Sequence, residues 1–305
     1  MTAYEAGALG LIAVGLEFIG GDDDECDRHC VVQLNGSCWF NSTLNSLILV
    51  PELRTRIVSA WLERTEDPEK YDADPTALHD YCPNFDRSGS YDIEGMRDVF
   101  ARFIYNILHK NKKFEPRYAD DLADKVKSSH DYYAAFLGRD RLWASRHLMG
   151  QGGSPSVSMK VLARVFFDEG SYSILSRPVD DQPPMKVEDV DAHVRSLKAP
   201  PEILILSGQI SLDVMRKRFA VDGTFYDLKS AVNVFHISSL NETHGISCVI
   251  CNGRQLIYDS NSTDMIATNW VDGDFSGYDY IQSLKQHMGP GDWGYFETCI
   301  YVARG

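Results

Sequence analysis

Clustered positive charge is the first thing this 305-residue sequence lacks. Lys and Arg number 30 against 44 Asp and Glu, for a formal net charge of −14 and a pI near 5.0. Nucleic-acid binding needs Lys and Arg gathered on one face to neutralise phosphates, so that class is set aside. The densest basic run, KNKK at 110–113, reads as a solvated helix C-terminus, where cations are favoured. A signal or membrane segment is also missing. The apolar stretch from Ala6 to Gly21 has no basic residues before it, contains Glu17 and runs into Asp22, Asp23 and Asp24. It is too short to span a bilayer and wrongly flanked for a signal peptide, and it reads as an N-terminal arm over residues 1–25. Cysteine is sparse, seven at irregular spacings; an odd, scattered set is not a disulfide framework and points to a reducing compartment, cytoplasmic or nuclear. Internal repeats and low-complexity tracts are absent. What remains, 44% hydrophobic and 24% charged residues, is an ordinary globular composition, in a chain long enough for one large core or two lobes.

The two halves differ in texture. Apolar residues at helical spacing predict a helix from Cys38 to about Leu49, punctuated by Pro51, then helices over Leu53 to Leu62, Asp92 to Leu108 and Ala119 to Met149. From about Pro200 the chain turns to short Val-, Ile- and Tyr-rich runs separated by turn residues: EILILS, YDLKSAVNVF, GISCVI and QLIYD. The proline-rich stretch from Ser176 to Pro201 is the expected lobe connection, with a helix over Val187 to Leu197 inside it. A helical half followed by an antiparallel sheet is an α+β pattern.

Two segments carry chemistry. In QLNGSCWFNSTLNSL, residues 33–47, a Gly and a Ser lead into Cys38 at the first turn of an apolar-faced helix. Unpaired N–H groups and the positive end of the helix dipole favour thiolate there. That suits a nucleophile, and a buried structural Cys is the alternative. The second segment is THGISCVICNGRQLIYDSNS, residues 243–262, in which Asn252-Gly253 between two β-rich runs signals a two-residue hairpin turn. Such a turn sets Cys251 opposite Arg254, Ile246 opposite Asp259 and His244 opposite Asn261. His244, Asp259 and Asn261 then share a face. A carboxylate or amide there can accept the His N–H and orient the ring to act on a thiol, which leaves Asp259 and Asn261 both open as the orienting group.

In these residues the chain resembles the papain-like cysteine proteases and, among them, the ubiquitin-specific proteases. Cys38-Trp39-Phe40-Asn41-Ser42-Thr43-Leu44-Asn45-Ser46-Leu47 is similar to the family's Cys box. Tyr226 to Val232 resembles the strand before its first, noncatalytic His, here His236; His244 falls where the catalytic His is expected, and Tyr258-Asp259-Ser260-Asn261 resembles its closing Asp or Asn motif. Leu204-Ile205-Leu206 is similar to the strand that opens its palm sheet. The resemblance implies a papain-like fold, one catalytic domain with a helical thumb-like lobe over 26–175 and an antiparallel palm-like lobe over 176–305. It implies a Cys38–His244–Asp259 protease acting on ubiquitin, a ubiquitin-like protein or another protein, with no cofactor, metal, nucleic acid or membrane involved. The usual oxyanion Asn five residues before the Cys is Gln33 here, with Asn35 as competitor. The Gly and Tyr that normally flank the catalytic His are Thr243 and Gly245, and the family's zinc-binding Cys pairs are absent. The pattern is that of a compact, divergent member of the sort carried by large DNA viruses.

Other candidates are read as structural. Cys26, His29, Cys30 and Cys82 lack paired-knuckle spacing for zinc, and a reduced, partly exposed turn is expected at the first three. Cys248 and Cys251 are three apart in a strand, so they face opposite ways and belong to the core. His236 is the second choice as base. Two other functions share these residues: a catalytically silent binding or virion-assembly module, and an acyl transferase or transglutaminase with the same Cys, His, Asp order.

Overall fold

The strand runs of the C-terminal half are apolar at consecutive positions, which requires burial on both faces of a sheet. The structure, a computed structural model, describes residues 26, 38–64, 154–177, 183–237, 242–260, 265–275 and 294–304. In it an 8-stranded sheet runs in the order β1-β2-β8-β4-β5-β6-β7, with β3 paired to β4. The strands are β1 (Tyr172–Ser176), β2 (Ile203–Ile210), β3 (Phe219–Val221), β4 (Thr224–Ile237), β5 (Glu242–Cys251), β6 (Arg254–Tyr258), β7 (Met265–Ala267) and β8 (Tyr295–Ala303). Alternate residues feed two cores. Ile203, Ile205, Val249, Ile300 and Val302 pack with α1 (Cys38–Ile48), α2 (Pro51–Arg64) and α3 (Pro155–Phe166) on one face. Leu204, Leu206, Ile246, Cys248 and Tyr301 pack on the other with α4 (Val187–Ser196) and α5 (Leu212–Arg216).

The α+β assignment holds, but the sheet is mixed rather than antiparallel. β1 pairs with β2 in parallel, Tyr172 opposite Ile203 through Ser176 opposite Ser207. Parallel neighbours need a long crossover, and α4, the helix expected within the proline-rich stretch, provides it. The remaining strand pairs are antiparallel.

A second correction concerns Cys26. The expected reduced, partly exposed turn is instead a buried disulfide partner: Cys26 is bonded to Cys251 with Cα atoms 6.2 Å apart, and both sit in the core beneath α1. Cys251 reaches that core because it ends β5 on the face opposite Cys248, the alternation expected of a C-x-x-C within a strand. The bond also removes the Cys26 sulfur from any zinc set; His29, Cys30 and Cys82 lie outside the described residues, as do the helices expected over Asp92 to Leu108 and Ala119 to Met149.

The helices that frame the site are fastened at their ends. Arg54 is buried and donates to the Ile48 carbonyl at 3.0 Å, closing the C-terminus of α1. At the N-terminus of α3, with Pro155 in its first turn, the buried Glu297 carboxylate of β8 accepts from the Ser156 N–H at 2.9 Å and from the Ser154 hydroxyl. Among the described residues no helix is long and apolar enough to cross a membrane.

Candidate active site

Cys38 is the first residue of α1, so its thiol lies among backbone N–H groups that no helical carbonyl can satisfy. The residue is 8% exposed, and its S–H points to the Thr243 carbonyl at 3.9 Å. Burial pushes the thiol up. A hydrogen bond from His244, the positive charge of that ring and the backbone N–H groups of Gly245 and Trp39 outweigh burial and hold Cys38 below its ordinary value of 9.0. The other free cysteines of the described residues behave oppositely: Cys248 and Cys299, buried without a cationic neighbour, are both pushed up. Burial is common to all three. The helix start and the histidine are peculiar to Cys38.

His244 and Asp259 are brought together by the hairpin. Asn252 and Gly253 take positive φ values of 50° and 76°, the left-handed pair that a tight β-hairpin turn demands. Cys251 faces Arg254 and Ser247 faces Tyr258, which is the register the turn signal implies. The ladder ends at Ser247–Tyr258, and Asp259, the next residue, points by alternation to the opposite face from Tyr258, the face of His244. Its Oδ1 then lies 2.9 Å from His244 Nε2, a diagonal contact across the pair. Both side chains are nearly closed to solvent, 10% and 5% exposed. With Nε2 on the carboxylate, Nδ1 is the ring nitrogen left for Cys38. Burial lowers the affinity of His244 for a proton, but the Asp259 hydrogen bond, the Cys38 hydrogen bond and both charges reverse this and push it up to about 10. A thiol held down beside an imidazole held up shifts the balance from the neutral pair towards thiolate and imidazolium.

The contact between α1 and β5 that creates this pair depends on small residues absent from the sequence-level candidates. Ser247 Oγ donates to the Ser42 carbonyl at 2.9 Å. Gly245 faces the same turn of α1, and a Cβ there would lie 2.8 Å from Ser42 Oγ and 3.4 Å from the Cys38 carbonyl oxygen. The departure from Tyr to Gly after His244 was the available signal. Gln33, Asn35 and Asn261 lie outside the described residues. His236 pairs with Thr243, one register step from the Phe235–His244 pair. Among the described residues no group of three or more His, Cys, Asp or Glu could hold a metal ion.

No family model matches the chain, and no curated protein does. Among solved structures it is similar to a SAGA DUB module of Ubp8, Sgf11, Sus1 and Sgf73 bound to monoubiquitin, at TM-score 0.45 and 9% identity over 93% of this chain and 71% of that one. The same module bound to ubiquitin aldehyde gives the same values. A pseudoubiquitin hydrolase–RNA exonuclease module of Saccharomyces cerevisiae Pan2 is similar over 35% of this chain and 21% of that one, at TM-score 0.22 and 14% identity.

Proposed function

We propose that the protein is a thiol-dependent hydrolase of peptide or isopeptide bonds, a deubiquitinase-like cysteine protease. The observation that carries the reading is the pairing of Cys38, held low at a helix start, with His244, held high by Asp259 at 2.9 Å. The thiolate attacks the carbonyl carbon of the scissile bond. The tetrahedral oxyanion forms beside the Cys38 backbone N–H at the open end of α1, with Gln33, or Asn35 in its place, as the side-chain donor. Collapse expels the amine, which takes its proton from His244 Nδ1 and leaves a thioester on Cys38. The now neutral imidazole removes a proton from water, which attacks the thioester and returns the thiolate. Asp259 keeps Nε2 protonated throughout, so only Nδ1 changes state; Asn261 is the alternative acceptor. The α1–α3 side would serve as the thumb and the sheet as the palm of a papain-like cleft.

The substrate class rests on the Cys box and His box resemblance: ubiquitin or a ubiquitin-like protein. Turnover of a fluorogenic ubiquitin C-terminal amide by the purified chain and by Cys38→Ala tests it. Cleavage that disappears in the variant supports the reading. Absence of cleavage in both, with a chemically ordinary Cys38, supports the silent module; product that carries an added amine identifies an acyl transferase.

A further inference from the structure

We propose that Gly245 is a positioning residue of this site: because it has no side chain, the first turn of α1 closes directly onto β5, and this sets Cys38 against His244. The inference rests on the catalytic reading above and adds what fixes the distance between its two central groups.

Strand β5 presents alternate residues to α1. Val249 and Cys251 enter the core on that face, Ser247 holds the Ser42 carbonyl at 2.9 Å, and Gly245 is the next position towards the nucleophile. A Cβ at 245 would stand 2.8 Å from Ser42 Oγ, 3.4 Å from the Cys38 carbonyl oxygen and 3.6 Å from its carbon. The first of these is too short for any real carbon, and the second is backbone of the nucleophile itself. Ser42 Oγ cannot simply swing aside without giving up its bond to the Trp39 carbonyl at 3.2 Å. A side chain at 245 therefore either costs Ser42 Oγ that bond or presses the first turn of α1 away from β5, and both loosen the seat of Cys38 against His244. The Gly245 N–H adds to the same effect, since it points at the Cys38 sulfur. A hydrogen bond from ring to thiol weakens as its distance and angle leave their optimum. The charged groups that act on Cys38 are His244 from β5 and, behind it, Asp259 after β6.

The test is the pH dependence of Cys38 alkylation by iodoacetamide in the full chain, read at Cys38 by peptide mass, for wild type, Gly245→Ala and Gly245→Ala/Ser42→Ala. The expected result is a Gly245→Ala midpoint moved up towards an ordinary thiol, with the rate at neutral pH down about tenfold per pH unit moved. Removing Ser42 Oγ should bring the midpoint back, because the shortest contact is gone. A folded Gly245→Ala protein with the wild-type midpoint overturns the proposal, and so does a loss that Ser42→Ala does not relieve. If Gly245→Ala fails to fold, Ser247→Ala decides: it unties β5 from α1 without adding bulk, and an unchanged midpoint overturns the proposal. An ordinary midpoint in wild type overturns the catalytic reading and the positioning role together, whereas a lowered one that Gly245→Ala leaves alone overturns only the positioning role.

Discussion

Removing the Asp259 carboxylate should collapse the thiolate–imidazolium pair while leaving the fold in place. His244 Nε2 donates to Oδ1 at 2.9 Å in a site closed to water. A hydrogen bond to a charged partner in such surroundings contributes about 1.5–3 kcal/mol. In Asp259→Ala the ring keeps its burial, which disfavours its charged form, and loses the partner that offsets it. His244 therefore falls, and Cys38, which depends on that positive charge, rises. Each 1.4 kcal/mol is tenfold in an equilibrium constant, so the ratio of the thiolate–imidazolium pair to the neutral pair should drop roughly 10- to 150-fold. Asp259→Asn retains an acceptor oxygen without the charge, so its loss should be smaller. Stopped-flow alkylation of Cys38 across pH, with circular dichroism to verify folding, measures all three proteins. A pH profile unchanged in Asp259→Ala would refute the reasoning, and a larger effect from Asn261→Ala would transfer the orienting role to that residue.

Other expectations follow from the same geometry. Turnover should be bell-shaped in pH: the thiolate is lost as pH falls through the Cys38 value, below 9.0, and the imidazolium is lost as pH rises through about 10; an acid limb near an ordinary thiol value would contradict the pair. Breaking the Cys26–Cys251 bond should cost on the order of 5 kcal/mol on the chain-entropy estimate for a separation of 225 residues; the melting temperature of Cys26→Ser against wild type, both without reductant, measures it, and equal values would show that the bond contributes nothing. Glu297→Ala strips the buried acceptor from the first turn of α3, and urea unfolding should show a loss of about 1–3 kcal/mol.

How much of this the sequence carried depends on how local the cause was. The β5–β6 register followed from Asn252-Gly253 alone, since a two-residue turn leaves no freedom in what faces what. Helix α1 was legible because Leu44, Leu47 and Ile48 fall at helical spacing and are fully buried. Strand β8 was not, because Glu297 interrupts its apolar run; only the fold reveals that the N-terminus of α3 takes up that charge. Helix α3 is hard to read from the sequence despite Ser154-Pro155, because the serines that follow obscure that start signal. The disulfide joins residues 225 apart, and no local pattern announces such a pair. Gly245 shows the same limit at the site itself: its identity was visible as a departure from a resembled motif, but the reason, a helix turn pressed against the strand, belongs to tertiary structure.

The most direct test of the central claim is covalent capture by a ubiquitin C-terminal electrophile, read by intact mass for wild type, Cys38→Ala and His244→Ala. The account expects one ubiquitin adduct on wild type, none on Cys38→Ala, and a rate on His244→Ala reduced to that of an unactivated thiol. No adduct on wild type, together with alkylation of Cys38 no faster than that of an ordinary cysteine, would contradict it.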